Sequence, residues 1–152
     1  MAPRDVRTLD LFAWEPPQVV ERFEPAVIKA YSIQNAVAKG VAATYAASGL
    51  AREEIAARMT EYLGEPISLN MINAWASEAR GDHNIPFYRL LGLIKVTGDR
   101  RLLQFGAETV DAAVIDNKWL PWVELGQIAD KKDELDKAFN AVRYQARKAL
   151  RS

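Results

Sequence analysis

Short polar side chains recur between residues 68 and 77 at positions that fall on one face of a helix. An asparagine amide can pair bidentately with adenine, a serine hydroxyl can donate or accept, and Leu or Ala can meet a thymine methyl group. The candidate base-contacting residues are Ser68, Leu69, Asn70, Asn73, Ala74 and Ser77. Because asparagine is a poor helix former, Asn70 and Asn73 favour a role in recognition. An ordinary polar face of a helical bundle is the alternative.

Charge is balanced along the chain. The sequence holds 20 Lys and Arg against 20 Asp and Glu, for a net charge of zero. The two signs also balance in residues 1–51, 52–101 and 102–152 taken separately. Phosphate binding usually draws on clustered basic side chains, so a prediction of DNA binding cannot rest on net charge. The candidate phosphate-contacting residues are Lys39, Arg52, Arg58 and Arg80.

A first predicted helix, from Arg52 to Leu63, would support the polar face. Its apolar residues recur at helical spacing, and Gly64 is placed to end it. Ala56 lies near its centre, where a small side chain lets a second helix cross closely. This is the support helix of a predicted helix-turn-helix.

The second predicted helix covers residues 68–80 and would enter the major groove. Ser68 occupies the N-cap position, because its hydroxyl can accept from the backbone N–H groups of the next turn. Ile67 and Ile72 occupy the positions of a hydrophobic staple around that cap. Ile72 and Trp75 are predicted to anchor the helix to the core, which leaves the polar face outside.

The predicted turn between the two helices is unusually long. About ten residues separate the small support position from the first anchor in the common motif, whereas Ala56 and Ile72 lie sixteen apart. Residues 62–67 fill the extra length. Within them Gly64 can adopt a positive φ, and Pro66 stiffens the approach to the second helix.

Apolar spacing elsewhere predicts an all-α protein. The other predicted helices run from Pro25 to Ser48, from Pro86 to Gly98, from Asp99 through Leu103, as a short helix over residues 119–128, and from Asp130 onward. Alternating apolar residues over 110–114 fit a small strand or a crossing loop. The predicted organisation is an apolar N-terminal arm over residues 1–24, a DNA-binding core over 25–106, and a packing or oligomerisation segment over 107–152. The arm packs on the protein's own body or on a second copy.

Several segments together resemble the small helix-turn-helix regulators of Mu-like phages and prophages. They are Leu9–Pro17, Arg52–Met59, Tyr62–Ser68, Ala74–Ala79, Ile85-Pro86 and Thr97–Leu103. The resemblance implies an all-helical transcription regulator of phage genes with an extended turn, acting on an operator as an oligomer. Ala51 occupies the N-cap position of the support helix, where Ser would be a better cap. This difference affects the expected start of the helix more than the function.

Residues typical of catalysis or metal binding are sparse. The chain has no cysteine, and its one histidine, His83, falls in a predicted loop without partners for zinc. No phosphate loop or nucleophile elbow occurs. We therefore expect no enzyme activity, cofactor or metal. With no signal peptide or membrane-spanning run, we expect residence in the cytoplasm. The resemblance implies that this is the cytoplasm of a bacterial host cell.

Two classes of function are compatible with the sequence. The first is a DNA-binding regulator whose partner is a double-stranded operator. The second is a non-enzymatic interaction or assembly protein, for which surfaces around Trp14, Trp119 and Trp122 would be the sensitive ones. Both allow a homo-oligomer, a dimer or higher, formed through the C-terminal helix or the arm.

Overall fold

The computed structural model describes residues 19–150, and within that range it is all-α with no strand, as predicted. Its backbone contacts divide into two units, one over residues 20–114 and one holding Val19 and residues 115–150. The first unit contains α1 Pro25–Ile28, α2 Ile33–Ser48, α3 Arg52–Leu63, α4 Leu69–Trp75, a 3-10 helix Glu78–His83, α5 Phe87–Thr97 and α6 Arg101–Glu108. The second contains a 3-10 helix Asn117–Trp119 and α7 Leu120–Ala149. Residues 1–18 of the predicted arm, including Trp14, lie outside the described residues.

The core of the 20–114 unit is built from side chains of α2 to α6. Its most deeply buried apolar members are Val41, Ile55, Met59, Ile72 and Leu93. Phe23, from the last residues of the predicted arm, belongs to the same core. This part of the arm therefore packs on the protein's own body.

The single helix predicted from Pro25 to Ser48 is wrong, because the chain breaks into α1 and α2. Lys29 is extended, and the Ser32 hydroxyl accepts from the Asn35 N–H at 3.2 Å. A serine that caps a new helix offers the backbone an alternative to continuing the old one. Lys39 Nζ also donates to the Lys29 carbonyl at 2.6 Å, which satisfies an oxygen at the break.

The helices predicted after Pro86 are confirmed, with one change of length. Gly98 ends α5 at φ +74°, and its N–H donates to the Ile94 carbonyl at 2.7 Å. Asp99 Oδ1 accepts from the Arg101 N–H at 3.0 Å, so it helps to start α6 as expected. The α6 helix then continues to Glu108 instead of ending near Leu103.

Residues 110–114 form a crossing loop and not the small strand that was the other interpretation of their sequence. The Val114 carbonyl accepts from the Val20 N–H at 2.9 Å, and no strand follows. The buried Gln104 accepts the Val114 N–H at 2.8 Å through its side-chain oxygen. An amide side chain here satisfies backbone that a strand partner would otherwise pair.

The two helices predicted after residue 118 are one. α7 runs without interruption from Leu120 to Ala149, so a helix start at Asp130 is wrong. Pro121 falls in its first turn, where a missing N–H costs nothing. Gly126 is too weak a breaker to interrupt a helix of this length. None of its residues is fully buried.

Candidate nucleic-acid interface

The helices α3 and α4 are joined by the predicted framework of buried residues. Ala56 on α3 is buried, as are Ile72 and Trp75 on α4, in agreement with their predicted support and anchor positions. Tyr45 of α2 donates its hydroxyl to the Ile72 carbonyl at 3.2 Å. Burial raises the pKa of the Tyr45 phenol, which keeps the group protonated and able to donate. α4 is therefore held from two sides.

The long turn is fixed by hydrogen bonds at both of its ends. Gly64 ends α3 at φ +69°, and its N–H donates to the Thr60 carbonyl at 3.0 Å. The Thr60 hydroxyl accepts from the N–H of the buried Ile67 at 2.9 Å. Ser68 then accepts from the Met71 N–H at 3.2 Å, which confirms its predicted N-cap position. The turn is long but has its own internal restraints.

The predicted helix over residues 68–80 is wrong at its C-terminal end, because α4 stops at Trp75. The chain tightens to hydrogen bonds from residue i+3, with the Ser77 N–H donating to the Ala74 carbonyl at 3.1 Å. Ser77 is extended, a conformation that serine favours outside helices. Arg80 leaves helical geometry within the 3-10 helix that follows. The side of α4 that points away from the core, which we call the outer face, is therefore shorter than the sequence predicted.

The outer face of α4 contains only some of the predicted base-contacting residues. Those exposed on it are Ser68, Leu69, Asn70 and Asn73. Ala74 is 7% exposed and belongs to the inner side of the helix beside Trp75, so its predicted contact with a base is wrong. Ser77 is half-buried and lies beyond the helix. Ala79 also lies beyond α4 and is exposed.

Arg52 of α3 reaches the outer face directly. Its Nη1 donates to Asn73 Oδ1 at 2.6 Å, and its guanidinium lies 5.5 Å from the centre of the Tyr45 ring. These contacts orient the Asn73 amide and leave its NH₂ group as the remaining polar end. Among residues 19–150 no side chain donates to or accepts from the Asn70 amide, so the two asparagines are not equivalent.

The four predicted phosphate contacts have different surroundings. Lys39 is partly buried, donates to the Lys29 carbonyl and lies 3.8 Å from Glu78 Oε2, so its charge is used within the protein. Arg58 pairs with Glu54 one turn earlier on the exposed side of α3. Arg80 is exposed next to α4. Arg52 and Arg80 are the two that adjoin the outer face.

A cleft of about 330 Å³ opens beside α4, between this helix, the 3-10 helix and the start of α5. Its polar lining includes Asn70, Arg80, Asp82, His83, Asn84 and Arg89. His83 Nδ1 lies 2.9 Å from Asp82 Oδ1, so this histidine has a carboxylate partner. Asn84 and Arg89 were not predicted, because each lies on an element whose position relative to α4 depends on the fold.

Arg89 connects the turn, α5 and α4. Its Nε donates to Glu65 Oε1 at 2.7 Å, and its guanidinium lies 5.7 Å from the centre of the Trp75 ring. Tyr88 donates its hydroxyl to the same carboxylate oxygen at 3.0 Å. The hydrogen bond from Arg89 lowers the pKa of Glu65; partial desolvation opposes it and the bond from Tyr88 adds to it. The ionised Glu65 therefore holds the turn against α5.

This contact predicts how stability depends on pH. Because folding lowers the pKa of Glu65, the stabilisation is complete above the ordinary value of 4.5 and is lost as the pH falls through the lowered value. Glu65→Gln is expected to make the free energy of unfolding less dependent on pH in that acid range. Urea unfolding at several pH values measures it. Glu61→Gln, on the exposed side of α3, is the control, and equal acid slopes for the wild type and Glu65→Gln would contradict the assignment.

The described residues contain no group of three or more His, Cys, Asp or Glu side chains placed to hold a metal ion. Within the same range no helix is long and apolar enough to cross a membrane.

The arrangement that emerges is an exposed, amide-bearing helix on a buried framework, with arginine side chains from α3 and the 3-10 helix beside it. Such a surface can form hydrogen bonds with base edges and ion pairs with phosphates. Comparison with known proteins adds no family to this description: no protein-family model, curated protein or solved structure matches the chain significantly.

Proposed function

We propose that the protein is a sequence-specific double-stranded DNA-binding regulator of transcription that places α4 in the major groove. The observation that carries the proposal is the exposed pair Asn70 and Asn73 on a helix whose opposite side is anchored by Ile72 and Trp75. Side chains three apart on a helix share a face. A rigid face with two amides is suited to adenine edges.

The size of the surface fits a single recognition helix. α4 has seven residues and is about 10 Å long. An α-helix with its side chains is about 10–12 Å across, which fits a major groove about 12 Å wide. Three or four side chains reach base edges in the common DNA-binding motifs. Leu69, Asn70 and Asn73 supply that number, with Ser68 at the helix start.

Biological context enters the proposal from the resemblance alone. It implies that the regulated genes belong to a phage or prophage and that the protein works in the cytoplasm of a bacterial host. It also implies an oligomer on the operator. In a two-fold dimer, recognition helices about 34 Å apart would meet successive turns of the duplex.

Salt dependence tests whether Arg80 contacts a phosphate. Each lost phosphate contact lowers the slope of log K against log salt by about one unit. We expect Arg80→Gln to reduce the slope by this amount while the preferred sequence is unchanged. The matched control is Lys95→Gln, an exposed charge at the other end of α5. Equal slopes for Arg80→Gln, Lys95→Gln and the wild type would remove Arg80 from the interface.

A second candidate function, a non-enzymatic interaction or assembly protein, is favoured by one observation. Large apolar side chains are exposed along the whole of α7. If partner-protein binding were the function, substitutions on α7 would abolish activity, whereas Asn70→Ala and Asn73→Ala would have no effect. Under the leading proposal the asparagine variants lose sequence preference.

A further inference from the structure

The apolar side chains of α7 lie on an exposed surface. Leu125, Ile128, Leu135, Phe139 and Val142 are each between 53% and 65% exposed. Helices of globular proteins normally bury such a face against other elements. Exposed apolar surface of this extent is typical of an interaction site.

The spacing of these residues is that of a two-stranded coiled coil. Starting at Leu125, the stripe continues at intervals of three and four residues through Ile128, Lys132, Leu135, Phe139, Val142 and Ala146. This is the a and d pattern of a heptad repeat, with Leu125 at a and Ile128 at d. It extends over about three to four heptads, long enough to indicate a coiled coil. The pattern is sharper than general amphipathicity, because every position of the stripe is set by a seven-residue period.

Charges beside the stripe are complementary between two copies. Lys131 and Asp136 occupy g and e positions, which face each other in a parallel, in-register pair. Within one chain Lys131 Nζ lies 2.9 Å from Glu134, and both side chains are about 70% exposed. A pair this exposed contributes little, so Lys131 is available to Asp136 of a second copy. An antiparallel pairing centred at residue 137 would instead bring the two Asp136 carboxylates together.

One residue of the stripe is charged. Lys132 occupies an a position, where a polar residue lowers stability but specifies register and favours a small number of strands. In a two-stranded coil its long side chain can extend past the interface and keep the ammonium group in water. In a larger bundle that route to solvent would be closed. Lys132 therefore favours a pair over a larger assembly.

We propose that α7 pairs with α7 of a second copy of this chain as a parallel, in-register, two-stranded coiled coil. The stripe gives the register, Lys131 and Asp136 give the direction, and Lys132 limits the number of strands. The pairing stands whether or not the chain binds DNA, since all of its determinants lie on α7. It specifies the interface and direction of the oligomer that the resemblance only implies.

The mass of the full chain in solution tests the pairing. Light scattering at tens of micromolar is expected to give twice the chain mass of 17.0 kDa. Leu135→Glu combined with Phe139→Glu is expected to raise the dissociation constant by about 100-fold or more, because four unpaired carboxylates would enter the apolar seam. Ala141→Glu adds one carboxylate per chain off the stripe and should leave the dimer intact. Lys132→Leu is expected to strengthen it.

Direction is tested by cross-linking and charge exchange. The chain has no cysteine, so Val142→Cys introduces a single thiol at a d position. A parallel, in-register pair brings the two thiols together and forms a disulfide on mild oxidation. Tyr144→Cys, on the outer side of α7, is the control and should not cross-link. Lys131→Glu should weaken the dimer, and adding Asp136→Lys should restore it.

Several outcomes would overturn the proposal. These are a wild-type monomer at tens of micromolar, a dimer that survives the double glutamate substitution, or cross-linking at residue 144 but not at 142. Residues 1–18 of the same chain are the other candidate to pack on the stripe. A variant that lacks these residues tests this alternative. A full chain that is monomeric, with a shortened chain that dimerises, would mean that the N-terminal segment covers α7 and would also refute the pairing. Circular dichroism of each variant confirms that the helices are retained.

Discussion

Replacing Trp75 with Ala is expected to lower the free energy of unfolding by about 3–5 kcal/mol. Trp75 is 4% exposed at the end of α4, and its ring packs in the core and beneath the Arg89 guanidinium. Removal of the indole leaves a cavity next to Ile72 and takes away the anchor that holds α4 against α3. A loss of this size is a large part of the stability of an ordinary domain.

Urea unfolding followed by circular dichroism measures the effect of Trp75→Ala, because the other tryptophans complicate fluorescence. Trp75→Phe is the matched control and should lose less, since it keeps a ring at the same position. A loss below about 1 kcal/mol for Trp75→Ala would contradict the anchoring role of this residue.

The second large effect is expected on DNA selectivity. Replacing Asn70 with Ala should remove a bidentate contact and with it discrimination of about 1–3 kcal/mol, or roughly five- to 150-fold between the preferred and a substituted base, whereas replacing Asn73 removes the single contact of its NH₂ group. Both side chains are exposed, so stability should change little. Asn70→Ala is expected to have the larger effect, because Arg52 already occupies the Asn73 oxygen.

Competition titrations with single-base variants of the preferred duplex measure this discrimination. Gln34→Ala, an exposed amide on α2, is the control and should leave selectivity unchanged. Arg52→Ala adds a further comparison, since it frees the Asn73 oxygen and should alter the base preferred at one position. Unchanged selectivity in a folded Asn70→Ala, Asn73→Ala variant would count against the recognition face.

Local patterns predicted most of the first unit of the fold. Ala56, Ile72 and Trp75 are buried as predicted from their spacing, and the Ser68 cap and Gly64 terminus follow from side-chain chemistry that acts within a few residues. Such signals are readable because cause and effect lie close together along the chain.

The errors arose where neighbouring elements decide the structure. The end of α4 at Trp75 and the break at Ser32 depend on competition between helix and turn hydrogen bonds. The outward position predicted for Ala74 requires a helix that continues to Arg80, whereas in the packed α4 this residue faces inward. The contact of Arg52 with Asn73 joins residues 21 apart, which no periodicity could reveal.

In α7, too, a pattern in the sequence can be interpreted only when the extent of the helix is known. The seven-residue period is present in the sequence, but a helix start at Asp130 would interrupt it. One continuous helix brings Leu125 and Ile128 into line with Leu135 and Phe139. A repeat is visible only when the element that contains it has the correct length.

Selection of bound sequences from random duplex DNA, at a stated salt concentration, tests the central claim most directly. The wild type is expected to enrich a motif with half-sites spaced by whole turns of the duplex, whereas the folded Asn70→Ala, Asn73→Ala variant should lose enrichment at the contacted bases. No enriched motif for the folded wild type at about 50 mM salt, where phosphate contacts are strong, would contradict it.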